Sequence, residues 1–445
     1  MGPMPAGRVP GRRGWEDRTG GAAVRPGRPD FRAPAWWQLS RLVAVLVAAA
    51  ALSGCSAGRG VCDNSATPPA CPPPGSLQLE RPPTPTPDVS GLSASVLTSL
   101  QQPAVAAPTP YRIFQPGEVQ CRAAVTCPLA NALAGESAAL ACSSKRRKAA
   151  RSSDEIKSQI LAYRASEERN KAAGQALEAF YLLAEAEADR DLVRRSKEET
   201  AAMLDDVGRL EKQGIRVEKG LADLRRQWPD ALDREAQVRL SVEQLNSHLR
   251  QLVGLSPDDS QPIWPVTDWK VVAEPLDEQA AIDEGLRHRA DLGMVAMMAQ
   301  SVDDDNVGGV RAGMGLITGM SGGSGRRSGE AESRRSQLNQ LYAGRQQAAT
   351  EEIRLAVRTI EIRLQQIAIA KLKLGRAQEE LDTLRLRRTR PDGGVTVLDV
   401  GAAELHLIER QSDLVHQVIA WRIAQAKLKE AQGLLAVECG VGCGP

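Results

Sequence analysis

Aromatic side chains are scarce in this chain, only 3% Phe, Trp and Tyr, and without such large buried groups a broad globular core is excluded. No cysteine occurs from 143 through 438, so disulfides can only flank that long body. No apolar run reaches the roughly 20 residues that a membrane-spanning helix needs. The four histidines, His248, His288, His406 and His416, are scattered without a carboxylate or cysteine grouping. No serine, cysteine or carboxylate constellation suggests a nucleophile or an acid–base pair. The expectation is therefore no enzyme, no cofactor and no metal. The glycine-rich run Gly313 to Gly319 lacks the spacing of a dinucleotide fingerprint. Residues 1 to 54 hold eight Arg against Glu16, Asp17 and Asp30, so the rest of a chain of net charge +2 is near −3. That balance gives no electrostatic reason to expect nucleic acid as a partner.

Ala, Leu, Glu, Gln, Arg and Lys dominate from about 150 onward, the composition of long helices packed side by side. An internal repeat organises them. Gly214 and Gly254 stand 40 residues apart, as do Gly393 and Gly433, and the copies are offset by 179. Around these glycines Val207 corresponds with Leu386, Leu221 with Val400, Leu240 with Ile419, Leu249 with Leu428 and Leu255 with Leu434. Each copy reads as a long helix, a glycine-marked turn and a returning helix. In the first copy the outgoing helix runs from Asp154 to about Lys212, and the return starts near Pro229, where proline fits the first helical position.

The second copy has the clearer periodicity. Ile353, Val357, Ile360, Leu364, Ile367, Lys371, Leu374, Gln378 and Leu381 step by fours and threes, a coiled-coil seam. Leu355, Ile362 and Ile369 form a second stripe on another face, stepping by sevens. On the return helix Leu407, Leu414, Trp421, Leu428 and Leu435 form one stripe, and Leu405, Ile408, Val415 and Ile419 a neighbouring one. Two seams per helix imply two packed neighbours per helix. Such helices make a sheet that closes into a barrel with copies of itself; a solitary four-helix bundle is the competing reading.

The start of the chain has its own logic. Arg41 precedes the short apolar run Leu42 to Leu52, which ends in Leu52-Ser53-Gly54-Cys55. A charged lead, a run of this length and small residues at its end describe a secretory signal; a buried helix with an incidental cysteine is the alternative. From 56 to about 110 the chain is rich in Pro, Ser and Thr and reads as an extended tether. In an oxidising compartment Cys121 with Cys127, or Cys439 with Cys443, would close small loops, with a weak metal pair as the alternative. The expected domains are a signal region (1 to 54), a Pro-rich tether (55 to 127), a first hairpin (128 to 256), a linker, a short helix near Leu276 and a Gly-rich candidate strand (257 to 350), a second hairpin (351 to 438) and a tail (439 to 445). The candidate strand rests on Val310, Ala312, Met314, Leu316, Thr318 and Met320, which alternate with Arg311, Gly313, Gly315, Ile317, Gly319 and Ser321.

Several motifs resemble a known family. Leu52-Ser53-Gly54-Cys55 resembles a bacterial lipobox, which implies that Cys55 carries the lipid and that Ser56 after it favours the outer membrane. Gly394-Val395-Thr396-Val397-Leu398-Asp399-Val400, LKEAQGL over 428 to 434, LRQLVGL over 249 to 255, and Arg289-Ala290-Asp291-Leu292, with Ala where the family has Pro, together resemble the TolC-like outer membrane efflux proteins across roughly 150 to 438. The resemblance implies an outer-membrane lipoprotein acting as the exit duct of an efflux or type I secretion system. It implies a homotrimer in contact with outer membrane lipid, a periplasmic adaptor and an inner-membrane pump. Gly214, Leu221, Leu224, Gly393, Gly394, Thr396, Leu398 and Val400 would form adaptor-facing tips, and Asp399 would sit at the aperture. For Asp399, helix N-capping is the alternative. The membrane portion departs from the family, because one weak strand without a partner implies a reduced or absent β-barrel. The rival function is a coiled-coil scaffold lipoprotein that conducts nothing.

Overall fold

The computed structural model describes residues 111–146, 151–214, 221–272, 275–304, 306–318, 329–390 and 394–442. The chain divides into two units, 1–64 and 65–445, and every described residue belongs to the second. The signal, Cys55 and most of the tether lie outside the described residues, as does Gly393.

The described residues are dominated by helix, in line with the all-α class expected. In chain order they are β1 (Arg112–Phe114), α1 (Pro116–Thr126), α2 (Pro128–Arg146), α3 (Arg151–Lys212), α4 (Leu221–Leu252), β2 (Ile263–Pro265), α5 (Glu278–His288), α6 (Ala290–Ser301), α7 (Val307–Thr318), α8 (Glu330–Arg388), α9 (Val397–Ala431) and α10 (Leu434–Glu438). β1 and β2 pair in parallel, Ile113 opposite Trp264. Asn246 of α4 holds β2 by accepting from Ile263 N at 2.7 Å and donating to its carbonyl at 3.2 Å.

The long helices pack in the order α4–α3–α9–α8. Contact runs α4 on α3, α3 on α9 and α9 on α8, without substantial packing between α4 and α8. A solid four-helix bundle would bring those two together; this is an open sheet of helices with two free edges. The inner helices bury two stripes each. On α9, Leu407, Leu414, Trp421, Leu428, Ile408, Val415 and Ile419 are all buried. On α8 the seam Ile353, Val357, Ile360, Ile367, Leu374 and Leu381 is buried against α9. The repeat survives in the turn chemistry, since Gly254 and Gly433 both end a return helix with positive φ, +68° and +77°. A side chain at 433 would sit 3.0 Å from His288 O, so close approach and backbone conformation both demand glycine there.

Four expectations are corrected. Pro229 lies inside α4, which starts eight residues earlier at Leu221. The first turns hold despite the missing N–H because Leu224 is buried with Met203 and Val207. The region expected as tether is structured from 111, where Phe114, Val119, Ala123 and Ala124 join the main core. α8 begins at Glu330, well before 351, because Leu338 packs with Ile156, Ile160, Met294 and Met298 in a second core. The candidate strand is helical over Val307–Thr318. Alternation there was a by-product of Gly309 and Gly313, which face α3, where a side chain would run into Ser153 and Ile160.

Candidate functional site

Both hairpin turns lie at one end of the helical sheet and touch each other. Leu221 and Leu224 at the start of α4 meet Met203, Leu204 and Val207 of α3, and Leu398 and Leu405 of α9, in a small apolar cluster. Gly214 (φ +81°) and Gly394 (φ +61°) supply the left-handed backbone on which the turns depend. Val400 is buried in the main core. The sequence-predicted tip residues described here are thus brought together. Asp399 is exposed, and Thr396 and Asp399 form a reciprocal capping box: Thr396 N donates to the Asp399 carboxylate at 2.8 Å, and Asp399 N donates to Thr396 Oγ1 at 3.2 Å. Its first role is to start α9.

The free edge of α8 is the largest unfilled apolar feature. Leu355 (67% exposed), Ile362 (53%), Ile369 (52%) and Leu372 (68%) lie on the side of α8 opposite its seam with α9. The repeat predicts two seams on every helix, and in the single chain this second one has no neighbour. The other edge, α4, exposes Leu240 (54%), whereas its repeat mate Ile419 is fully buried on the inner helix α9. Position in the sheet, not residue type, makes that difference.

Far from the turns a dense polar joint gathers the end of α9, α10, α1 and the break between α5 and α6. Arg289 occupies the break, ending α5 and preceding α6. It donates to both oxygens of Asp291 (3.0 and 3.2 Å), to Glu352 of α8 (2.6 Å) and to the Ala431 carbonyl at the end of α9 (2.9 Å). Burial works to raise Asp291, but the Arg289 fork and the nearby Arg345 hold its carboxyl below the usual carboxylate range. Asn170 of α3 accepts from Leu435 N and donates to the Glu430 carbonyl, and Gln432 reaches the Ala281 carbonyl. Gln120 of α1 donates to the Leu435 carbonyl and to Glu438.

Beside that joint Cys121 of α1 is bonded to Cys439 after α10. This corrects both expected pairings, Cys121 with Cys127 and Cys439 with Cys443, because packing brings together residues 318 apart in sequence. Replacing Cys121 by Ser is expected to lower stability by about 2–4 kcal/mol. The check is the denaturant midpoint, with reduced wild type falling to the same value. Sequence reasoning missed this joint, except that Arg289-Ala290-Asp291-Leu292 stood out as a motif.

Among the described residues no helix is long and apolar enough to cross a membrane, and no group of three His, Cys, Asp or Glu could hold a metal ion.

The chain has the fold of solved outer-membrane proteins. It is similar to the outer membrane protein VceC of Vibrio cholerae, with a TM-score of 0.50 and 18% identity over 64% of this chain and 75% of that one. Similar too are the CmeC outer membrane channel of Campylobacter jejuni (0.50, 14%, 64% and 67%) and a membrane protein from Pseudomonas aeruginosa (0.51, 15%, 64% and 71%). No protein-family profile and no curated protein matches the sequence.

Proposed function

We propose that this chain is one protomer of a TolC-like exit duct, a passive conduit for efflux or type I secretion. The observation that carries the proposal is the open helical sheet with an apolar stripe along its α8 edge. An edge that meets a different edge on the next copy is a heterologous contact, which closes into a ring when the rotation allows. The levels match: Ile369 lies 19 residues before Arg388 at the end of α8, and Leu240 lies 19 residues after Leu221 at the start of α4. At 1.5 Å per residue both sit about 28 Å from the turns. Three such sheets make a twelve-helix cylinder, the homotrimer of the family the motifs resemble.

In this reading the joined turns, with Gly214, Leu221, Leu224, Gly393, Gly394, Thr396, Leu398 and Val400, face a periplasmic adaptor that links to an inner-membrane pump. Asp399, fixed by its capping box, lines the aperture. Cys55 carries the lipid that holds the assembly at the outer membrane. The likeness of fold to a known outer membrane channel supports this reading.

One observation favours a second reading. Val307–Thr318, the stretch expected as a membrane strand, is a helix packed on α3, which suits a scaffold lipoprotein that conducts nothing. Purified protein in planar bilayers separates the two. Reproducible single-channel steps are expected, and persistent silence from a correctly assembled trimer would overturn the conduit.

A further inference from the structure

The two hairpins of one chain meet along the α3/α9 seam, and that seam is more polar than the cores on either side of it. Lys427 reaches Glu178 at 2.6 Å, Glu185 meets His416 Nδ1 at 2.6 Å, Ser412 donates to Asp189 at 2.8 Å and Arg195 donates to Gln411 at 3.2 Å. Nearest the turns, Glu199 of α3 is hydrogen-bonded to Glu404 of α9. A hydrogen bond between two carboxyl groups requires a proton on one of them. At this level Gly401 of α9 lies against α3, where any side chain would strike Met203 and come within 3.2 Å of Glu199 Oε1. The two backbones therefore approach closely beside a pair of acids.

We propose that this seam is a proton-operated fastener: a proton between Glu199 and Glu404, and a second on His416 facing Glu185, hold the two hairpins together at their turn end. Loss of the first turns a hydrogen bond into repulsion between carboxylates on opposite hairpins. Loss of the second removes an ion pair. Both changes act in the same direction.

The surroundings support this sense. Burial raises Glu199, the bond to Glu404 and its charge raise it further, Arg385 of α8 opposes, and Asp206 adds to the rise, leaving it at about 7. On the α4 side Glu235 is occupied by Lys197 at 2.7 Å, and within α3 Asp206 is paired with Arg209. His416 is raised mainly by its hydrogen bond to Glu185, against burial and Arg363 of α8, with Asp189 assisting. Asp189 in turn faces Arg234 of α4. Both groups hold protons more tightly in the folded chain than in the unfolded one. The joined seam is therefore favoured in acid and weakened as pH rises, for Glu199 between its ordinary 4.5 and about 7, and for His416 above its ordinary 6.5.

The proposal concerns one chain and does not depend on conduction. Its test uses the full chain with a nitroxide amino acid, incorporated without cysteine, at the exposed positions Ala202 of α3 and Ala402 of α9. Electron-spin distance measurements at pH 5.5 and pH 8 are expected to show the separation lengthening or broadening by roughly 2 Å or more at the higher pH. In Glu199→Gln, whose amide donates to Glu404 at every pH, the acid-state distance should persist at pH 8. Glu404→Gln serves if that variant does not fold. A wild-type distance indifferent to pH, or a pH response retained in full by Glu199→Gln combined with His416→Gln, would overturn the fastener. Bilayer silence alone would leave it standing and remove only the conduit.

Discussion

A chain carrying Ile362→Glu and Ile369→Glu is expected to run as a monomer under conditions where the wild type assembles. Each isoleucine is about half exposed in the single chain, and burying such a side chain at a partner's edge contributes about 1.5–3 kcal/mol. Two carboxylates there forfeit both contributions and add desolvation, weakening each subunit contact by roughly 100- to 10,000-fold. The single chain should be indifferent, because neither side chain belongs to its core. Light scattering after size exclusion reads the mass, and circular dichroism checks that the helices remain. A double variant with the mass of the wild type would show that the α8 stripe is not the subunit contact.

The second large effect concerns stability. Arg289→Met is expected to cost about 3 kcal/mol, because Asp291 becomes a half-buried carboxylate without its main partner and the Ala431 carbonyl loses its donor. Arg289→Lys keeps the charge but cannot bond both Asp291 oxygens while also reaching Glu352 and Ala431, so it should recover only part of the loss. Urea unfolding measures the difference. A methionine variant within about 0.5 kcal/mol of wild type would show that the joint is held by its apolar contacts instead.

What could be read from the sequence follows from the range of the forces involved. The seam from Ile353 to Leu381 and the turns at Gly214 and Gly394 are local patterns, and each appears where its spacing places it. The motif around Thr396 and Asp399 was visible because a capping box spans only three residues. Long-range features were not visible. Nothing near Cys121 points to Cys439, and nothing near Arg289 points to Glu352 or Ala431. Pro229 and the alternating stretch from Val310 misled for a related reason. Proline and alternation are local signals, and in both places packing against α3 prevailed, through Leu224 on one side and through Gly309 and Gly313 on the other. The unequal fates of Leu240 and Ile419 were likewise hidden, since the repeat makes the two positions alike and only the order of helices in the sheet separates them.

The bond between Cys121 and Cys439 also turns everything between them into a covalent circle. A protease that cuts one exposed loop inside that circle opens the ring without releasing either piece. Damage to a turn therefore leaves a single molecule of unchanged mass, and only a reductant lets the two fragments part.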